Sequence, residues 1–166
     1  MVVVCFLLSQ NAGAQAVYEA DALATTGGTY YDELITVDGA ELSGVIIDYD
    51  EAGRPKFRKE IRYGRADGLW QEWYENGFPK FKAEWKEGYG HGRWQYFHSN
   101  GQLRQDEYYA MDVPVGIHTV YYNNGQLRLR GAFAAGKKHG IWETFSADGR
   151  LEKTEKYAAG ELIGEE

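Results

Sequence analysis

Apolar and polar residues alternate in short runs along most of this chain, and the runs return at a fixed interval. Gly44, Gly68, Gly92, Gly116 and Gly140 stand 24 residues apart. After each comes a run rich in aromatic and β-branched residues, such as Leu69 to Tyr74, Arg93 to His98, Ile117 to Tyr122 and Ile141 to Ser146. With the glycine as position 0, positions 11 and 17 of the returning run are apolar in every copy: Pro55, Pro79, Leu103, Leu127 and Leu151, then Ile61, Trp85, Tyr109, Phe133 and Tyr157. Positions 12 and 14 are mostly charged. Alternation of this period over short runs predicts half-buried β-strands. Between the runs, Asn76-Gly77, Asn100-Gly101, Asn124-Gly125 and Asp148-Gly149 predict hairpin turns with positive φ at both central residues, which makes Gly77, Gly101, Gly125 and Gly149 structural turn glycines.

Five gapless copies follow, at 44–67, 68–91, 92–115, 116–139 and 140–163. A period of this length marks an array of supersecondary units. The expected fold class is all-β: an elongated, single-layer antiparallel meander of repeated β-hairpins, about ten to twelve strands across. The outgoing run leaves one question open. Its aromatics fall at position 2 (Trp70, Trp94, Trp142) and position 5 (Trp73, Phe97, Tyr121, Phe145), which a regular strand points to opposite faces. Either a bulge shifts the register or aromatics line both faces. In both cases identical rings are expected to stack in columns from hairpin to hairpin. Trp73, Phe97, Tyr121 and Phe145 are the candidate partner-binding aromatics.

The lead-in differs from the array. Met1 to Ala16 combines an apolar run, Val2 to Leu8, with a terminal Ala14-Gln15-Ala16, the form of a secretory signal peptide with its cleavage site, although the first basic residue is Arg54. Cleavage there implies a periplasmic or secreted protein; a plain N-terminal strand implies a cytoplasmic one. The apolar run is far shorter than the roughly 20 residues that span a bilayer. Residues 17–43 read as a degenerate half-repeat capping the array, with a strand through Val37 and a turn at Asp38-Gly39.

Charge divides the chain at the same place. Residues 1–53 carry nine acidic and no basic side chains, and residues 54–166 carry 18 basic and 16 acidic ones. Half of those basic residues fall at positions 10, 12 and 14, including Lys56, Lys80, Arg104 and Arg128, so a basic stripe on the wet face is expected. Interleaved glutamates and a net charge of −7 argue against nucleic acid. A membrane surface is the alternative partner for the stripe.

Candidate chemistry is sparse. His91 and His139 share a position two copies apart, about 19 Å across four strands, too far for one metal ion. His98 and His118 each stand alone. No Ser lies in a G-x-S-x-G elbow, no phosphate-cradling G-x-x-x-x-G-K-[ST] occurs, and Asp106 and Glu107 point to opposite faces of one strand. No catalytic, metal or cofactor site is expected, and the chain reads as non-enzymatic.

The pattern G-x-W-x-x-[YF]-x-x-N-G-x-L, then an aromatic and G-K-x-H-G, stands out in Gly116 to Gly140, with Asn124-Gly125-Gln126-Leu127 and Gly136-Lys137-Lys138-His139-Gly140. It resembles the bacterial variant of the MORN (membrane occupation and recognition nexus) repeat across residues 44–164. Chains of this build include the YwqK-type antitoxin components of toxin–antitoxin modules. The resemblance implies a hairpin-repeat protein that binds a protein partner such as a toxin, and self-association through an open edge strand is a further expectation. The third copy departs from the pattern, with Asp112-Val113-Pro114-Val115-Gly116 in place of Gly-x-x-His-Gly.

Overall fold

The computed structural model describes residues 17–19, 24–26, 34–37 and 40–165. The signal peptide expected at 1–16 and the turn at Asp38-Gly39 lie outside the described residues. The strands, in chain order, are β1 (Val17–Glu19), β2 (Ala24–Thr26), β3 (Leu34–Val37), β4 (Ala40–Glu41), β5 (Gly44–Tyr49), β6 (Pro55–Arg62), β7 (Arg65–Trp73) and β8 (Pro79–Lys86). They continue as β9 (Tyr89–Phe97), β10 (Leu103–Ala110), β11 (Val113–Tyr121), β12 (Leu127–Ala134), β13 (Lys137–Phe145), β14 (Leu151–Ala158) and β15 (Glu161–Glu165). From β5 to β15 every strand pairs with its sequence neighbours, an antiparallel meander in one sheet. The lead-in departs from this rule: β1 pairs with β5 in parallel, as the twelfth strand of that sheet, and β2, β3 and β4 form a small antiparallel sheet of their own.

Two kinds of turn alternate along the meander, and the paired positive-φ turn is not the expected one. At the Asn-Gly sites only the glycine has positive φ, for example Gly77 at 84°. Tyr74 N–H donates to Phe78 C=O, and Gly77 N–H to Tyr74 C=O, each at 2.9 Å. The loop is therefore three residues long, a turn followed by a left-handed glycine, because the strands resume at Phe78 and not at Gly77. The two-residue turns with positive φ at both positions lie at the other ends of the strands: Tyr63-Gly64, Glu87-Gly88, Met111-Asp112, Ala135-Gly136 and Ala159-Gly160. Asp112, the exception to the glycine rule, takes the left-handed conformation itself at φ 64°, which Asp tolerates better than most residues.

Both rows of turns are joined from unit to unit. Along one edge, Asn76, Asn100 and Asn124 each donate Nδ2 to the carbonyl of the next turn (Ser99, Asn123 and Ala147, at 2.7, 2.9 and 2.9 Å). Along the other, Gly88, Asp112, Gly136 and Gly160 donate their N–H groups to the carbonyls of Ala66, Gly90, Pro114 and Lys138 at 2.8 to 3.0 Å. Each hairpin is thus tied to its neighbour at both ends as well as along its ladder.

The opening glycines are not turn residues. The strand runs through them, from Arg65 to Trp73 in β7, and Gly68 sits inside a register shift between Lys59 and Ile61 of the facing strand. The shift bends the strand sharply. Gly90 and Trp94 are four residues apart on β9, about 13 Å in an extended strand. Yet a Cβ on Gly90 would stand 2.7 Å from the Trp94 ring. A crease therefore runs along the sheet, and its inner angle holds the apolar side chains. This is how a single-layer sheet buries Trp70, Ala83, Trp85, Trp94 and Trp142, the last to 2% exposure. His91 and His139 lie in β9 and β13 beside the bend.

Inside the crease the rings form one ladder, and its zigzag mixes residue types. Position 2 alternates with position 17 along it, and three tryptophans, Trp70, Trp85 and Trp94, stand in succession before the residue types change. Trp70, Trp85, Trp94 and Tyr109 follow one another at centroid distances of 5.4, 5.0 and 4.8 Å. His118, Phe133, Trp142 and Tyr157 continue at 5.6, 5.1 and 6.4 Å. Burial of one such ring contributes roughly 4 to 6 kcal/mol before the entropy of ordering is subtracted. The ladder is thus the main source of cohesion within the repeats.

Candidate binding surfaces

Aromatic residues line both faces. Strand β7 keeps regular pairing from Gly68 to Glu72, so Trp70 and Trp73 point to opposite sides and the register shift falls on β8. Trp73, Phe97, Tyr121 and Phe145 accordingly form a row outside the crease, paired across the hairpins with Pro79, Leu103, Leu127 and Leu151. Each ring is half-buried, and no ring contact joins one to the next among the described residues. Two carry a cation above them, Lys82 over Phe97 at 5.7 Å and Arg130 over Phe145 at 5.8 Å. Tyr49, at 47% exposure, extends the row into the first unit.

The basic residues do not make one stripe. The shift on the returning strands leaves position 12 beside position 13, on the inner face, while position 14 stays on the outer one. Lys56 pairs with Asp48, and Lys80 with Glu72 at 3.2 Å, both inside. Arg104 and Arg128 occupy the same position in the next two units and lie over Tyr96 and Tyr122, at 5.5 and 5.9 Å. Outside, Arg93 forms a two-point pair with Asp106, through bonds of 2.8 and 2.7 Å, and Arg130 pairs with Glu143.

Beyond the ladder, towards the Asn-Gly edge, the crease opens into a groove of about 290 Å³ lined by Glu72, Tyr74, Lys80, Phe81, Tyr96 and Arg104. Phe81 and Tyr96 make its floor, 4.9 Å apart. Tyr74 is fixed by its hydroxyl, which donates to Phe97 C=O at 2.8 Å, a bond that Tyr122 repeats to Phe145 two units further on, with His98 Nε2 3.1 Å from Tyr121 C=O between them. This is a shallow, open, aromatic surface with charge along one side.

His118 is not alone. It takes the ladder position filled by Trp70, Trp94 and Trp142, and its Nδ1 lies 3.2 Å from Glu107 Oε2. Tyr109 donates its hydroxyl to the other carboxylate oxygen at 3.2 Å. Glu107 is a buried charged residue in the middle of the aromatic core. Burial pushes its carboxyl up, but contacts with His118, Gln105 and Tyr109 outweigh it and hold the group below the ordinary value of 4.5. The one signal in the repeat is at position 2, which is Trp70, Trp94 and Trp142 in three units and His118 in this one; position 15, with Lys59, Ala83, Gly131 and Glu155 in the other units, marks nothing. No group of three or more His, Cys, Asp or Glu able to hold a metal occurs among the described residues, and no helix is long and apolar enough to cross a membrane.

Residues 66–87, 90–110 and 114–133 match the family model of the MORN repeat variant. Each matched stretch holds one hairpin around an Asn-Gly turn, β7–β8, β9–β10 and β11–β12. A search among curated proteins finds no match to the chain. The matched units make this region a repeat scaffold, and the outer row and the inner groove recur on it with the units.

Proposed function

We propose that the chain is a non-enzymatic scaffold that binds a protein partner along the outer row Trp73, Phe97, Tyr121 and Phe145. One observation carries the reading: rings that are half-buried and unstacked recur once per unit, about 10 Å apart, on the face the ladder does not use. Rings held rigidly on strands offer contact area at low entropic cost, and each has an apolar cross-strand neighbour to widen it. Repeat arrays commonly bind along such extended surfaces. The finer form of the reading, drawn from the resemblance to YwqK-type antitoxins, is that the partner is a toxin held inactive by the contact. The alternative, attachment to a membrane through Lys56, Lys80, Arg104 and Arg128, has less to support it, since the two lysines are already paired with Asp48 and Glu72.

The test is affinity capture from the source cells with the intact chain and with Trp73→Ala, Phe97→Ala and Tyr121→Ala variants. A specific protein captured by the intact chain and lost from folded variants supports the reading. Capture that is indifferent to all three substitutions overturns it. For the antitoxin form, the captured partner must arrest growth when produced alone and cease to do so when produced with this chain.

A further inference from the structure

The repeat allows each unit to serve as a control for the others, and the comparison isolates two cations on the inner face. At position 12, Lys56 and Lys80 are satisfied from within their own hairpins, by the position-4 carboxylates of Asp48 and Glu72. In the next two units position 4 is Tyr96 and Val120, and position 12 is Arg104 and Arg128. Neither arginine meets a carboxylate among the described residues. Each guanidinium lies over a tyrosine ring, Tyr96 at 5.5 Å and Tyr122 at 5.9 Å, and both side chains are exposed. A guanidinium lying against a ring can still present its N–H edge, which suits a bidentate carboxylate.

We propose that Arg104 and Arg128 form a two-point site for an acidic segment of a partner protein in extended conformation, its carboxylates taking the places that Asp48 and Glu72 fill in the first two units. Spacing supports the assignment. Equivalent positions of successive units are two strands, about 10 Å, apart, and a chain extended in the polyproline II form covers about that distance in three residues and turns the same face inward at every third one. Shape decides between an acidic peptide and an anionic bilayer. Arg104 lines the groove within the crease, with Phe81 and Tyr96 as its floor, and a flat surface meets only the rim of such a groove while a single chain can lie along it. The aromatic floor adds contact for whatever residues separate the two carboxylates.

The probe is a fluorescently labelled peptide with glutamate at every third position and small polar residues between, against the full chain at low ionic strength. Binding followed by anisotropy is expected for this peptide and absent for its glutamine counterpart. It is expected to weaken by about tenfold in Arg104→Gln/Arg128→Gln. Val120→Glu keeps both arginines but restores the internal carboxylate of the earlier units, and it is expected to weaken binding in the same direction. Lys56→Gln should leave it unchanged. Failure of the peptide to bind, equal binding by all variants, or arginine-dependent binding of anionic vesicles without binding of the peptide would each overturn the proposal. The Trp73 row lies on the other face, so capture of a partner there survives the loss of this site and the two readings fail separately.

Discussion

The Glu107 carboxylate lies 3.2 Å from the His118 imidazole at the one level of the ladder where a tryptophan is replaced by histidine. In Trp94 and Trp142 the position-2 ring fits against a small residue, Ala83 or Gly131, across the register shift. Here the same two places hold a polar pair, with Tyr109 hydrogen-bonded to the far oxygen. Stability should follow the protonation of Glu107. Its folded-state pKa is depressed, so its contribution is present above the ordinary value of 4.5 and disappears as pH falls through the folded value. Thermal melting of the intact chain is expected to weaken across this acid range more steeply than that of Glu107→Gln. Parallel melting profiles of the two proteins would show that the pair contributes nothing.

The same pair can be replaced by the chemistry of its neighbours. His118→Trp with Glu107→Ala recreates the Trp94 and Ala83 arrangement and removes the cost of burying a charge. Glu107→Ala alone takes the carboxylate from His118 and Tyr109 and leaves a cavity, which we expect to lower stability by about 2 to 4 kcal/mol. The double variant is expected to recover most of that loss or exceed the parent, as replacing a buried ion pair by well-packed apolar groups often does. Urea titrations of the three proteins measure the coupling, and additive losses would rule out a shared site.

Much of this fold was legible in the sequence, for a physical reason: a repeat pins each glycine, each Asn-Gly pair and each apolar position to the same place in every hairpin. The antiparallel meander followed directly. What the spacing concealed was the effect of the register shifts. Asn76-Gly77 carries the residue types of a two-residue turn, yet the loop closes on Phe78, and Tyr63, Glu87, Met111, Ala135 and Ala159 hold positive φ at the other edge with no residue preference to announce it. Position 12 was expected beside position 14 on a wet face, and the extra residue on each returning strand moves Lys80 and Arg104 inward. The Glu107 and His118 pair was hidden likewise, since only the shift brings position 15 against position 2 of the next unit. Trp73, Phe97, Tyr121 and Phe145 form a row as their common position requires, and which rings stack and which stand apart depends on the crease.

The crease itself rests on the opening glycines. Gly92 has φ 74°, and a Cβ there would meet Glu84 side-chain atoms at 2.2 to 3.0 Å. Gly92→Ala is therefore expected to cost about 1 to 3 kcal/mol through backbone strain and displacement of Glu84. Gly90→Ala is a useful contrast. Its Cβ would also crowd the Trp94 ring, but the equivalent place in the preceding unit is already Ala66, beside Trp70. Its backbone needs no left-handed conformation, so the loss should be the smaller of the two. Denaturant midpoints decide the matter, and a larger loss for Gly90→Ala would place the bend elsewhere.

Cohesion between units at the Asn-Gly edge depends on one side chain doing two things. Asn100 Oδ1 accepts from Gln102 N–H at 3.1 Å and shapes its own turn, while Nδ2 donates to Asn123 C=O at 2.9 Å and holds the next one. In the last unit the local role passes to Ser146, whose Oγ accepts from Arg150 N–H at 3.1 Å, while Asp148 accepts from the Ser146 hydroxyl and pairs with the Arg150 side chain. Asn100→Asp separates the two roles, because a carboxylate preserves the acceptor and removes the donor. The variant is expected to lose about 1 kcal/mol, the net worth of a typical hydrogen bond, with some added repulsion between the carboxylate and the Asn123 carbonyl. Asn100→Ala should lose more, since its turn is also unmade. Hydrogen exchange locates the effect: amides of the turn at Tyr122 to Gly125 should exchange faster in Asn100→Asp, with those of Trp94 and Ala83 unchanged. Uniform acceleration across the chain would mean that the asparagines stabilise the array as a whole and do not act as links between neighbouring hairpins.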